Sequence, residues 1–195
     1  MKFVFGLILG LLAVPCGAYL YFTGGSAPVA TTDSDLPFEK FLAKKALSAR
    51  IAKEMPKSVP IQPTEANYVA GAELYKEHCA VCHGVPLTPK TAVAAGMYPP
   101  PPRLLEGKGV TDDEPGESYW KIANGIRLTG MPGFSKALSE TQMWQIALLV
   151  ANADKLPASA KGALVAPNAP AANTPPPASA PAFPSAVPNS ASPPK

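Results

Sequence analysis

Cys79-Ala80-Val81-Cys82-His83 is the stretch on which the reading of this chain turns. Two thiols three positions apart can add across the two vinyl groups of one haem, and the histidine directly after them is placed to ligate the iron. The residues upstream support this. Gly71, Tyr75 and Cys79 recur every four positions, so they lie on one face of a helix that delivers the cysteines.

Two other uses of a C-x-x-C pair compete. A structural zinc site needs four ligands. The chain has three cysteines and two histidines, and Cys16 sits in an apolar segment far upstream. A thioredoxin-like redox pair needs a βαβ pattern around it, and none is visible. His78 lies one residue on the wrong side of the motif and is expected to be a surface or half-buried imidazole rather than a ligand.

Composition limits how much of the chain can be globular. Of 195 residues 25 are proline, most of them in two places, so the compact part is much shorter than the chain. The net charge of +3 is too small to suggest a nucleic-acid partner. Thr64 to Leu156 holds eight Lys or Arg and ten Asp or Glu, a balance of −2. Thr31 to Pro60 holds six and four, a balance of +2.

Phe3 to Phe22 runs without a charge. As a helix it would be roughly 30 Å long, enough to cross a bilayer. Lys2 and the amino terminus favour a cytoplasmic start, and Pro15 is tolerated in a membrane helix. Residues 1–22 are therefore expected to be a transmembrane signal-anchor. A cleaved signal peptide and a lipoprotein signal acylated at Cys16 are the alternatives. The first lacks a good Ala-x-Ala-like site, and Pro15 fits the second poorly.

Residues 23–63 read as a linker carrying one basic helix, from about Leu36 to Met55, with Asp35 as its cap. Phe38, Phe41, Leu42, Ala49, Ala52 and Met55 give it a partial apolar stripe, and Lys40, Lys44, Lys45, Arg50 and Lys53 a basic face. It is expected either to lie on anionic headgroups or a partner subunit, or to be a solvated spacer with a few side chains packed on the domain that follows.

Residues 64–156 are expected to be that domain. Thr64 caps a helix from about Glu65 to Ala80. Val85 to Val110 has little periodicity and contains Pro99-Pro100-Pro101-Pro102, an extended run whose carbonyls remain free acceptors. One of them is a candidate partner for the second ring nitrogen of His83; an ordinary surface loop is the competing reading. A short helix from about Glu114 to Asn124 ends at Gly125. Its Trp120 is expected either in the core, packed on a cofactor or a neighbouring helix, or with its indole N–H on a haem propionate. Gly130, Pro132 and Gly133 then hold Met131 in a constrained turn. Ser139 and Gln142 form a capping box, with Leu138 and Met143 as its hydrophobic staple, for a last helix to about Ala153.

Residues 157–195 are rich in Ala, Pro and Ser, charged only at Lys161 and Lys195, with Phe183 as the one aromatic. Such a segment is expected to be a disordered tail, because it offers too little apolar surface to offset the entropy of ordering.

Taken together, these residues resemble a membrane-anchored class I c-type cytochrome with one haem. The resemblance covers about Thr64 to Leu156. Cys79, Cys82 and His83 match the attachment motif, and Gly71 and Tyr75 match the opening helix. Pro102-Arg103-Leu104 is similar to the Pro-x-Leu element whose proline carbonyl accepts from the proximal histidine, and Met131 stands where the family places its distal sulfur ligand. Met1 and Met55 precede the domain and Met143 has a packing role, so Met97 is the remaining rival to Met131. Leu148, with Trp144 one turn earlier, departs from the aromatic that many members place in the last helix.

The resemblance implies a mainly α fold. Three to four helices surround one covalent haem c, with an N-terminal transmembrane helix and a disordered tail added. It implies axial ligation by His83 and Met131, covalent attachment through Cys79 and Cys82, and a contact from Pro102; the haem contact of Trp120 is expected only from its indole N–H, because the propionate-side loops do not carry over residue by residue. With both axial positions filled there is no site for a small-molecule substrate, and one-electron transfer is what remains. The expected protein is an electron carrier, not an enzyme. It sits in the inner membrane by a single span, with the haem domain on the periplasmic or outer face, and exchanges electrons with redox proteins in or at the membrane. A fixed haem c subunit of a larger oxidoreductase or terminal oxidase is the alternative. A haem sensor or peroxidase-like enzyme would need an open iron site, against which Met131 argues.

Overall fold

The structure is a computed structural model that describes residues 2–106 and 113–166. Among them there are eight helices and no strand. The first, α1 (Lys2–Thr23), carries Pro15 within it and packs on no other described helix. Its Gly6–Thr23 stretch is long and apolar enough to cross a membrane and has no residue buried inside the protein.

Helix α2 (Glu39–Glu54) starts three residues later than expected. Asp35 does not cap it; its carboxylate is engaged instead by Lys40 and by the hydroxyl of Tyr98. The Glu39 carboxylate accepts from Leu36 N–H at 2.9 Å and closes the entry turn. The side chains that α2 turns inward are Leu47 and Ile51, one helical turn apart, with Ile51 only 3% exposed. The expected stripe of Phe38, Phe41 and Leu42 faces the other way and is exposed.

The domain core is built by α3 (Glu65–His78), α6 (Pro115–Asn124) and α7 (Glu140–Ala151). Thr64 Oγ1 accepts from Asn67 N–H, and Ser139 and Gln142 form the reciprocal capping box. Helices α3 and α7 cross at Gly71, where a built Cβ would run into the backbone carbonyl of Gln145. The absent side chain is what lets the two backbones meet. Helices α6 and α7 meet through Tyr119 and Trp144, stacked at 4.2 Å between centroids and 17° between planes. Tyr75, Ala147 and Leu149 are fully enclosed, and Leu138 and Met143 close the staple in the core.

Two short helices lie where no periodicity was legible or where the motif ends: α4 (Ala80–His83) and α5 (Ala92–Ala95). The last, α8 (Ala158–Val165), corrects the expected start of the tail. Leu156, Ala160 and Leu164 recur every four positions, and all are buried, at 6%, 0% and 2% exposure. That single stripe packs on α3 and gains enough burial to order a stretch whose composition alone suggested none. The expectation of disorder beyond residue 166 lies outside the described residues.

Candidate haem site

The cysteine motif sits where α3 ends. Cys79 is the C-cap of α3, and its N–H still donates to Tyr75 O at 2.8 Å. Helix α4 then carries Cys82 and His83 round one turn and stops at Gly84, whose φ of 72° suits glycine. Tyr75 locks this turn from below, its hydroxyl donating to Gly84 O at 2.9 Å inside the core. Cys79, Cys82 and His83 all face one cavity of about 390 Å³, the size of a cofactor pocket, with mostly apolar walls.

Beside the motif runs the proline segment. His83 Nδ1 lies 2.7 Å from Pro102 O. A carbonyl only accepts, so Nδ1 carries the proton and Nε2 is left as the lone-pair nitrogen. Burial pulls the His83 imidazole below its ordinary range and so favours the neutral ring, an effect that the Pro102 hydrogen bond partly offsets. Arg103 fixes the segment that supplies this carbonyl. Its guanidinium donates to Val85 O at 2.7 Å, pairs with Glu106, and lies against Gly84. The loop after the motif and the proline run are thus clamped together by one side chain.

Met131 lines the cavity from a turn and not from a helix. Gly125, with φ 68°, turns the chain out of α6 and packs against Gly133 and Pro132. Ile126 N–H donates to Met131 O at 3.1 Å, and Met131 N–H donates to Thr129 Oγ1 at 3.1 Å. Phe134 N–H reaches back to Ile122 O at 2.8 Å. Met97 also lines the cavity, and its Sδ and Cε lie against Gly130. Both methionines named in the sequence therefore reach the same space. His78 lines it too, its ring 5.9 Å from that of Phe134.

Of the two expectations for Trp120, its surroundings fit packing on a neighbouring helix, here α2. Trp120 does not line the cavity, and its indole N–H donates to Glu54 Oε2 at 3.2 Å. The large ring sits on the outer side of α6, where α2 supplies its acceptor. The residue that α6 turns into the cavity is Lys121, with Ser118 and Ile122. Burial alone would lower the Lys121 ammonium, but hydrogen bonds to Asp113 at 2.6 Å and Glu117 at 2.8 Å outweigh it and hold the ammonium above its usual range. Lys121 and Leu47 escaped the sequence reading. For Leu47 the only signal was its four-residue spacing from Ile51.

The donor set fits a covalently held haem. Burial pushes the Cys79 thiol up to about 12, with Cys82 adding to the effect, so an unattached Cys79 stays protonated. Among the described residues no group of three His, Cys, Asp or Glu could hold a metal ion by itself. A soft thioether and a neutral imidazole facing an apolar cavity, with two thiols at its edge, match the attachment and ligation of haem iron.

Residues 66–150 match the family model described as cytochrome C oxidase, cbb3-type, subunit III. No curated protein and no solved structure matches the chain.

Proposed function

We propose that residues 66–150, which match the family model, form a c-type cytochrome domain that would carry covalent haem c, and that the chain is a membrane-anchored one-electron carrier in which His83 and Met131 would ligate the haem iron. When bound, the haem supplies a one-electron couple. Cys79 and Cys82 would hold it through thioether bonds, and His83 would present Nε2 to it because Pro102 O accepts the Nδ1 proton. Met131 offers a soft thioether that favours the ferrous state. Val81, exposed between the two cysteines, offers redox partners an apolar contact beside the motif. Helix α1 confines the domain near partners in the same membrane, with the domain on the periplasmic or outer side, and so raises their effective concentration.

The observation that carries this reading is the 2.7 Å contact between His83 and Pro102 in the cavity that also collects Cys79, Cys82 and Met131. The test is ligand replacement in the holoprotein. Met131→Ala is expected to abolish the near-infrared charge-transfer band of iron–thioether bonding, lower the potential and admit carbon monoxide. Met97→Ala and His78→Ala should leave the band in place, and His83→Ala should prevent stable holoprotein. Loss of the band in Met97→Ala alone would transfer the distal role to Met97.

A second reading is a fixed haem c subunit of a membrane oxidoreductase or terminal oxidase. The matched family's own description as an oxidase subunit favours it. Mild solubilisation separates the two: a carrier leaves the membrane as a single chain, a subunit in a complex with other haem- or metal-bearing chains.

A further inference from the structure

Helix α2 has two faces, and only one has a partner. Leu47 reaches the cavity, Ile51 is buried, and Glu54 accepts from Trp120. At its other end Asp35 and Lys40 are tied to Tyr98, which precedes the proline run. The helix is therefore strapped to the domain from the proline segment to α6. At 100° per residue, Phe38, Phe41 and Leu42 cluster about Lys45 on the side opposite Leu47 and Ile51. They are 75%, 65% and 62% exposed. Phe38 stands at φ 64°, in the entry turn that Glu39 closes onto Leu36, and that turn leaves its ring outward.

We propose that this outer face of α2 lies in the interface of the anionic bilayer that α1 spans, with the two phenylalanines and Leu42 at the boundary of headgroups and acyl chains and the lysines on the headgroups. The proposal rests on the anchoring read for α1. Three observations select lipid as the occupant. The apolar tips are two aromatics and a leucine, the set that seats at the boundary of headgroups and acyl chains. Lys44 and Lys45 form no ion pair among the described residues, which leaves their charge for anionic headgroups. The segment 24–38 that joins α1 to α2 reaches at most about 50 Å when extended, and its far end is held at Asp35, so α2 stays beside the membrane. Because the opposite face of α2 bears on the cavity wall, a seated α2 would fix how the haem domain is presented to membrane partners.

The test uses the full-length holoprotein in nanodiscs, with Cys16→Ser and a single new cysteine at Lys45→Cys or Ala43→Cys. The two positions lie about 200° apart around the helix. The readout is the rate of modification by a neutral, membrane-impermeant maleimide. In discs containing phosphatidylglycerol, position 45 should react at least about tenfold more slowly than position 43, as expected for an interface-buried face. In detergent the two rates should be similar. Changing Phe38, Phe41 and Leu42 together to Ser, all exposed and so harmless to the fold, should restore the rate at 45. Lys44→Glu with Lys53→Glu should shrink the difference between anionic and zwitterionic discs. Equal rates at 45 and 43 in anionic discs would overturn the proposal. So would protection of position 45 that persists in detergent, which would indicate a protein partner. A chain that alkaline carbonate strips from the discs would overturn the anchoring of α1 itself, and the role of α2 with it.

Discussion

Nδ1 of His83 donates to the carbonyl of Pro102 across 2.7 Å, and both groups are kept in place by a third residue, Arg103. A carbonyl cannot be removed by changing a side chain, but the segment that carries it can be released.

Arg103→Ala should do so. It removes a charge-assisted hydrogen bond to Val85 O and a pairing with Glu106. Such bonds contribute about 1.5–3 kcal/mol each at most, and exposure of Glu106 places this case at the low end. The expected result is a melting temperature lower by about 5–10 °C and a changed potential. Arg103→Lys should recover part of the stability but not the contact with Val85. An unchanged potential in Arg103→Ala would show that the Pro102 carbonyl is positioned without it.

Gly71→Ala should destabilise although alanine favours helix. The added Cβ meets backbone at Gln145, not a side chain that can swing aside, so α3 and α7 must separate. Overpacking of this kind costs about 1–3 kcal/mol, which thermal unfolding will read directly. Gly162→Ala, with open space around it in α8, should be neutral or mildly stabilising.

Helix α8 gives a paired truncation. A chain ending at Ala166 keeps Ala160 and Leu164 in the core; one ending at Leu156 loses both. Leu164→Ala alone should cost about 2–3 kcal/mol, near the lower bound for a buried leucine. The shorter chain should melt well below the longer one. Equal melting would mean that α8 does not dock on α3.

Lys121 sets a pH dependence. Its folded pKa is raised, so its contribution is complete below the unfolded value near 10.5 and is lost as pH rises through the folded value. Lys121→Gln should therefore lower stability at pH 7, by about 1–3 kcal/mol given side-chain exposure of 23%. The gap between variant and parent should close only in strongly alkaline solution. A gap that closes between pH 6 and 8 would assign the effect to another group.

Local patterns were sufficient for the helices that carry their own end signals. Thr64 before α3, Gly125 after α6 and the Ser139–Gln142 box before α7 act within four residues of themselves, so the sequence determines them unaided. The spacing of Cys79, Cys82 and His83 is likewise a local fact, because one turn of helix after a C-cap brings all three to one side. The tertiary structure decided what depends on a surface supplied from elsewhere in the chain. Trp120 faced α2 rather than the cavity because Glu54, far away in sequence, provides the acceptor. Leu156, Ala160 and Leu164 became a helix stripe because α3 offered an apolar face for them to cover. The inward side of α2 was Leu47 and Ile51, not the longer stripe of Phe38, Phe41 and Leu42, for the same reason. Burial rewards whichever face meets a complementary surface, and a helix's own periodicity does not say where that surface is.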